Sequence, residues 1–322
     1  MPEERFAQRS YELAQKVHDT LARAIVGQRR LIQECLVAIL AGGHVLIEGV
    51  PGTAKTLLVK ALAIALGKEF TRVQMTPDLM PSDIVGTYVF DMERREFHLR
   101  PGPIFTQFLL ADEINRAPAK TQSALLEGMQ EKQVTIDGRP HPLDNDFTVF
   151  ATQNPVEFEG TYPLPEAQVD RFMLKLVVDY PPREAEEELL RRYDQGFDAN
   201  RLQDAGVTAV ASAEEIAACR AEIRQVKVSD EVIGYISDLA RATREHPLVT
   251  LGCSPRASVM LLLAAKTLAA LRGKDYLGPD EVQAMAPAAW RHRLVLRPEA
   301  EIEGQTSDDI IAAILASVAV PR

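Results

Sequence analysis

The chain has 322 residues, 46% of them hydrophobic and 25% charged, with a formal net charge of −10, the profile of a globular protein of about two domains. No apolar run reaches the roughly 18 residues of a membrane span, and Met1-Pro-Glu-Glu-Arg-Phe6 lacks the basic and apolar regions of a secretory signal, so a cytoplasmic protein without a membrane span is expected. With 19 basic and 24 acidic residues up to Tyr180, and 17 and 22 beyond it, each half carries −5, which disfavours broad binding to nucleic-acid phosphates.

In chain order, the first half alternates strands and helices. Strands are predicted at His44 to Glu48, Phe70 to Gln74, Phe105 to Ala111, Phe147 to Gln153 and Phe172 to Val178. They are short, apolar and mostly near-continuous rather than alternating, as strands buried on both faces of a parallel sheet are, so helices should cover both faces. Pro181 and Pro182 mark a domain boundary. Beyond them come helices at Arg183 to Tyr193, Ala213 to Val226, Asp230 to Glu245, Pro255 to Leu271 and Pro279 to His292, and no further strand is expected. The fold class is therefore α/β: an αβα domain with a parallel five-stranded sheet over residues 1–180, then an all-α domain over 181–322. Cys35, Cys219 and Cys253 match no metal-ligand spacing and leave at least one thiol unpaired, as in a reducing compartment.

Gly49-Val-Pro-Gly-Thr-Ala-Lys-Thr56 lies between the first strand and the helix-like Leu57-Leu-Val-Lys-Ala-Leu-Ala-Ile-Ala-Leu66. In such a loop, backbone N–H groups and the positive end of the helix converge on a polyphosphate. Gly49, Pro51, Gly52, Thr53, Ala54, Lys55, Thr56 and Leu57 would form the cradle, with Lys55 reaching the β- and γ-phosphates and the Thr56 hydroxyl facing Mg²⁺. Ala54 departs from the usual pattern, which has a second glycine there. Phe108-Leu-Leu-Ala-Asp-Glu-Ile114 is a strand ending in two carboxylates, where Asp112 can hold the Mg²⁺ shell through water and Glu113 can deprotonate the attacking water. Together these motifs read as an ATP-hydrolysing site. Asn154 ends the next strand and could bond the γ-phosphate or that water; Arg171 precedes the last strand, and Arg256 opens a helix of the second half behind Ser254 and Pro255.

Taken with Ala111-Asp-Glu-Ile-Asn-Arg-Ala-Pro-Ala-Lys-Thr-Gln122, Ala151-Thr-Gln-Asn-Pro155, Leu164-Pro-Glu-Ala-Gln-Val-Asp-Arg-Phe172 and Ser254-Pro-Arg256, the chain resembles the MoxR family of AAA+ ATPases over nearly its whole length. The resemblance implies that Asn154 is sensor 1, Arg256 sensor 2, and Arg171 an arginine finger donated to a neighbouring subunit, and it tolerates Ala54. It implies a helical lid, a homo-oligomeric ring, hexameric by that likeness, and protein partners carrying a von Willebrand factor A domain, matured or assisted in metal insertion. Val26, Gly27 and Gln28 resemble the segment beside adenine. Thr87 to Leu99, within a helix-2 insert over about 75–103, and Gln133 to Leu143, a hairpin before sensor 1, are the expected contact elements. The competing reading is a nucleic-acid motor on the same core, against which the acidic charge counts; a nucleotide-gated scaffold without turnover is disfavoured by intact Lys55, Asp112 and Glu113.

Overall fold

The computed structural model describes residues 7–50, 52–154 and 161–321. Helix α1 (Gln8–Leu21) buries Leu13, Val17, Thr20 and Leu21, the i, i+4, i+7 stripe that an amphipathic helix turns toward a core. Helix α2 (Arg29–Ala41) stops at Gly42, whose φ of 74° is the left-handed cap that glycine adopts without a Cβ penalty. Strand β1 (Val45–Gly49), helix α3 (Lys55–Ala65), strand β2 (Phe70–Gln74) and the short helix α4 (Pro81–Val85) follow, then the hairpin β3 (Gly86–Asp91) and β4 (Glu96–Pro101). The chain continues through β5 (Phe108–Asp112), α5 (Ala119–Glu131), the hairpin β6 (Gln133–Ile136) and β7 (Arg139–Pro142), β8 (Thr148–Gln153), α6 (Glu166–Val169) and β9 (Leu174–Val178).

Five of these strands form one parallel sheet in the order β2-β5-β8-β1-β9. All five residues of β5 and the first five of β8 are buried, as expected for central parallel strands. Alternate residues feed opposite faces. Val45, Ile47, Phe108, Leu110 and Phe150 enter a core shared with α1, α2 and α3, while Leu46, Leu109, Ala111, Val149 and Ala151 enter one beneath α5 and the hairpins. The third strand begins later than the sequence implied, at Phe108, because the Phe105 and Thr106 amides turn back onto Gly102 and Ile104. In the hairpin between β6 and β7, Asp137 and Gly138 both take positive φ, 49° and 76°, as a two-residue turn matched to strand twist requires.

The second half contains α7 (Arg183–Asp194), α8 (Ala213–Gln225), α9 (Asp230–Glu245), β10 (Val249–Leu251), α10 (Pro255–Leu271), α11 (Pro279–Trp290), β11 (Val295–Leu296), α12 (Pro298–Ile302) and α13 (Ser307–Ser317). Ser212, Ser229, Ser254 and Thr306 each accept the amide hydrogen of the third helical residue, fixing where four of these helices begin. The expectation of no strand beyond Pro182 is corrected: β10 and β11 pair antiparallel. With three and two residues they are too short for a periodicity to register. The core of these helices, including Leu261, Leu268 and Trp290, is continuous with the sheet face that α1 and α2 cover. No helix among the described residues is long and apolar enough to cross a membrane.

His44, at the foot of β1, ties this arrangement together. Its Nδ1 accepts the Val149 amide hydrogen at 3.0 Å, so Nε2 carries the ring proton and donates to the Met129 carbonyl at 3.0 Å. Burial pushes its pKa down to about 4, because the charged ring would lose water and the Val149 N–H would lose its acceptor. The unfolded chain takes up this proton first, near pH 6.5, so the stabilisation is complete above that pH and is lost as pH falls toward 4. Chemical denaturation is expected to show the wild type losing about 3 kcal/mol more between pH 7 and 4 than His44→Gln, which lacks the ionisation. Parallel pH profiles of the two proteins would refute this.

Candidate active site

The sheet's register brings its polar residues to one edge. Gln74 lies opposite Asp112, and Glu48 opposite Gln153, so the carboxyl ends of β1, β2, β5 and β8 are level. In open parallel sheets that edge is where ligands bind. A cavity of about 430 Å³ opens there, within the usual range for a small-molecule site.

One wall is the loop between β1 and α3. Gly49 must be glycine, since a Cβ would stand 2.4 Å from the Val178 carbonyl oxygen of β9. The Thr53 hydroxyl donates to the Val50 carbonyl at 2.9 Å and fixes the loop's curvature. Ala54 takes φ 59°, ψ 21°, the left-handed conformation that explains why a glycine is usual there and that costs an L-residue roughly 1 kcal/mol. It delivers Lys55 and Thr56 to the first turn of α3, whose leading N–H groups have no partner within the helix. The Lys55 ammonium folds back to donate to the Gly49 and Val50 carbonyls. Burial lowers its pKa, while Asp112, Glu113 and Glu48 pull the other way and favour the charged form.

The opposite wall carries the carboxylates, and Thr152 of β8 organises them. Its hydroxyl donates to Asp112 Oδ1 at 2.5 Å and accepts the Glu113 amide hydrogen at 2.8 Å. Glu113 is also left-handed, at φ 59°, the kind of strain that surrounding bonds must hold in place. Those bonds come from Gln74 Nε2 and Arg116 Nη1, both donating to Glu113 Oε2 at 2.9 Å. Arg72 donates to Asp112 Oδ2 from Nε at 3.0 Å and Nη2 at 2.7 Å, and to Gln74 Oε1 at 2.8 Å. The result is a connected polar network in which each carboxylate has a fixed direction.

The cavity thus brings together Gly52, Thr53, Ala54, Lys55, Thr56 and Leu57 with Asp112, Glu113 and Asn154. Asn154 is buried, at the end of β8. Pro51 lies outside the described residues. Gly49 takes part through its carbonyl rather than as cavity lining. Val26, Gly27 and Gln28 do not line the cavity; they adjoin it. Gly27, with φ 74°, leaves room for the first turn of α7, since a Cβ would come within 2.9 Å of Ala185 Cβ. Gln28 Nε2 donates to the Thr53 carbonyl at 3.4 Å, and its Oε1 is buried with no protein partner, a free acceptor beside the loop.

Neither Arg171 nor Arg256 reaches this cavity. Arg171 Nη1 donates to the Leu126 carbonyl of α5 at 2.8 Å, and Arg256 Nη1 stands 3.9 Å from Asp170 Oδ2. The residues that sequence reasoning missed are Arg72, Gln74, Arg116 and Thr152 in the polar network, and Leu189, Tyr193 and Ala199 on the apolar side. Period-two alternation back from Asn154 points to Thr152, and back from Gln74 to Arg72. The apolar residues gave no such signal, because they lie beyond the double proline.

Thr56 and Asp112 are hard oxygen donors of the kind Mg²⁺ takes. No cluster of three or more His, Cys, Asp or Glu side chains that could hold a metal occurs among the described residues. That fits an ion bound through one or two protein oxygens, with a nucleotide's phosphates and water completing its shell.

Comparison with known proteins agrees with this geometry. The family model described as ATPase family associated with various cellular activities (AAA) matches residues 44–174, and the AAA lid domain matches 241–314. The chain is 44% identical to the uncharacterized protein YeaC of Bacillus subtilis, over 97% of this chain and 96% of that one. It is 44% identical to Chaperone MoxR1 of Mycobacterium tuberculosis, covering 96% of this chain and 84% of the relative. Protein MoxR of Methylorubrum extorquens is 33% identical over 96% of both chains. A crystal structure from Cytophaga hutchinsonii superposes with a TM-score of 0.88 at 43% identity, over 98% of each chain. The matches to the AAA and AAA lid models and to the MoxR relatives over nearly the whole chain, on a parallel sheet followed by a helical lid, place the chain in the MoxR family of AAA+ ATPases, and its activity is ATP hydrolysis.

Proposed function

We propose that the protein works as a hexameric ring that hydrolyses ATP at its subunit interfaces to remodel or mature partner proteins, with residues 1–180 as the ATPase core and 181–322 as the lid. The observation that carries this reading is what the cavity lacks. Among its described lining residues there is no arginine, while Arg72 and Arg116 are already paired with Asp112 and Glu113. Of the cavity's own lining, Lys55 is then the cation that meets charge building on the transferring phosphoryl group, and arginines from outside the lining, one of them a neighbour's, complete the site. Arg171 is that arginine, and Arg256 acts as sensor 2.

The division of labour follows from the fixed directions of the side chains. The loop amides and Lys55 hold the β- and γ-phosphates, and Gln28 lies beside the base. Glu113 takes the proton from a water whose oxygen attacks the γ-phosphorus as the bond from that phosphorus to the β,γ-bridging oxygen breaks and ADP leaves with the bonding pair, and Asn154 orients the water without adding charge. Thr56 and Asp112 hold Mg²⁺ when it is bound, and the ion neutralises phosphate oxygens. Arg256 is half-exposed and only loosely paired, so it can leave Asp170 for a phosphate and carry the lid with it.

The two hairpins are the surfaces offered to a client. Tyr88 Oη of one lies 3.3 Å from His141 Nε2 of the other, which joins them, and Phe90, Met92 and Phe97 stand exposed on β3, its turn and β4. Partners with a von Willebrand factor A domain are the class that the family resemblance implies.

Turnover per subunit should rise with protein concentration, and Arg171→Ala should lower it at least about a hundredfold at saturation, read by phosphate release. Equal activity of the two proteins at all concentrations would remove the neighbour's arginine from the account. Glu113→Gln held in ATP should co-purify as a ring with its client, and recovery of monomer alone would count against the assembly. Thr152→Val, which strands the Glu113 amide and one Asp112 oxygen, should cost about 1–3 kcal/mol of stability and lower kcat about tenfold or more. Thr152→Ser should restore both, and a Val variant with normal turnover would show the hydroxyl to be dispensable.

A further inference from the structure

Two neighbouring residues of the lid, His292 and Arg293, are not used by the reading above. Arg293 follows α11, and its side chain is only 2% exposed. A guanidinium so buried must satisfy its donors within the protein, and it does so almost entirely on one short stretch of chain. Nε donates to Asp170 Oδ1 at 2.6 Å, and Nη2 donates to the Asp170 carbonyl at 3.0 Å and the Phe172 carbonyl at 2.7 Å. Nη1 reaches the Met173 carbonyl at 3.3 Å and closes back onto Ala289 of its own helix. The adjacent His292 adds a contact from Nε2 to the same Phe172 carbonyl at 3.0 Å. The residue enclosed by these bonds is Arg171.

We propose that Arg293, with Asp170 as its counter-ion, is a positioning residue for Arg171: a lid arginine grips the backbone on both sides of the finger and sets where its guanidinium stands in the neighbouring site. The inference rests on the ring reading above and deepens it. A clamp that served only to join lid to core could bind any part of β9, whereas this one straddles a single residue. Asp170 also faces Arg256 at 3.9 Å, so one carboxylate serves a buried lid arginine and an exposed one. When Arg256 leaves, Arg293 keeps the carboxylate paired and the finger's backbone in place. Errors of about 1 Å in such a group are enough to cost on the order of a hundredfold in rate.

The experiment exploits the fact that a displaced finger damages a neighbour's site and not its own. Arg293→Lys keeps the charge opposite Asp170 but cannot span the four carbonyls. Alone, it should lose about ten- to a hundredfold in kcat, with its affinity for a fluorescent ATP analogue changed less than about threefold. Mixed with Glu113→Gln, which has no working site but a normal finger, it should regain turnover, because the Glu113→Gln subunits lend Arg171 to intact Arg293→Lys sites. The control is Arg171→Ala mixed with Glu113→Gln. If the control recovers and Arg293→Lys recovers to within about twofold of it, the positioning role stands. If the control recovers and the Arg293→Lys mixture does not, the clamp belongs to the fold or to its own site and the inference fails. If the control itself does not recover, the shared-site reading falls, and this inference with it. Should Arg293→Lys not give folded protein, Asp170→Asn, which keeps an Oδ1 acceptor for Arg293 but removes the charge and puts an amide NH₂ where Oδ2 stood, replaces it under the same three outcomes.

Discussion

Burial of β1, β5 and β8 on both faces is the constraint from which the site follows. Strands that give every side chain to one core or the other have no place for a polar group except their ends. Parallel pairing then brings those ends level, so Gly49, Asp112 and Asn154 arrive at one edge without any loop having to search for the others. The edge glycine has the same origin: β9 comes so close to β1 that Gly49 admits no Cβ.

Such an edge concentrates carboxylates, and the chain spends its neighbouring polar groups on directing them. Thr152 serves Asp112 and the Glu113 amide with one hydroxyl, while Arg72, Gln74 and Arg116 hold the remaining oxygens. Two residues at the edge, Ala54 and Glu113, sit in left-handed backbone that costs energy, and both flank the cavity. Arg95, Lys132 and Asp137 are left-handed as well, but at hairpin turns and a helix end, whereas Ala54 and Glu113 hold that strain beside the cavity, as preorganised sites do. Lys55 is the counterweight: burial works against its charge, and the three nearby carboxylates work for it.

The lid is joined to this machinery at two points of different character. On the cavity side, Gly27 lets α7 pack against the segment before α2, and Leu189 and Tyr193 of α7 line the cavity. On the far side, Arg293 and His292 bond the backbone at Asp170, Phe172 and Met173, next to the residue proposed as the finger. A lid attached both beside the cavity and around the residue proposed as the finger is mechanically suited to couple the two, because packed interfaces of this kind shift between discrete arrangements rather than deform.

Much of this was legible in the sequence because the signals were local. Short, mostly apolar runs marked the five strands of the sheet, least clearly β2 with its Thr71 and Arg72, Asp137-Gly138 marked a hairpin turn, and Gly49 to Thr56 stood out as a glycine-containing loop between a strand and a helix. Lys55, Thr56, Asp112, Glu113 and Asn154 could be named because each stands at a predicted strand end or helix start. The strands β10 and β11 could not, since five residues shared between two strands carry no period. What only the tertiary structure decided is which distant groups meet: Thr152 with Asp112, Arg72 with a carboxylate 40 positions on, Tyr193 in one cavity with Gly52 to Leu57, and Arg293 around Arg171. Sequence determines a residue's element and its place along it, through propensity and periodicity; the partner across space is set by sheet register and by how the lid helices pack, which no single stretch of chain encodes.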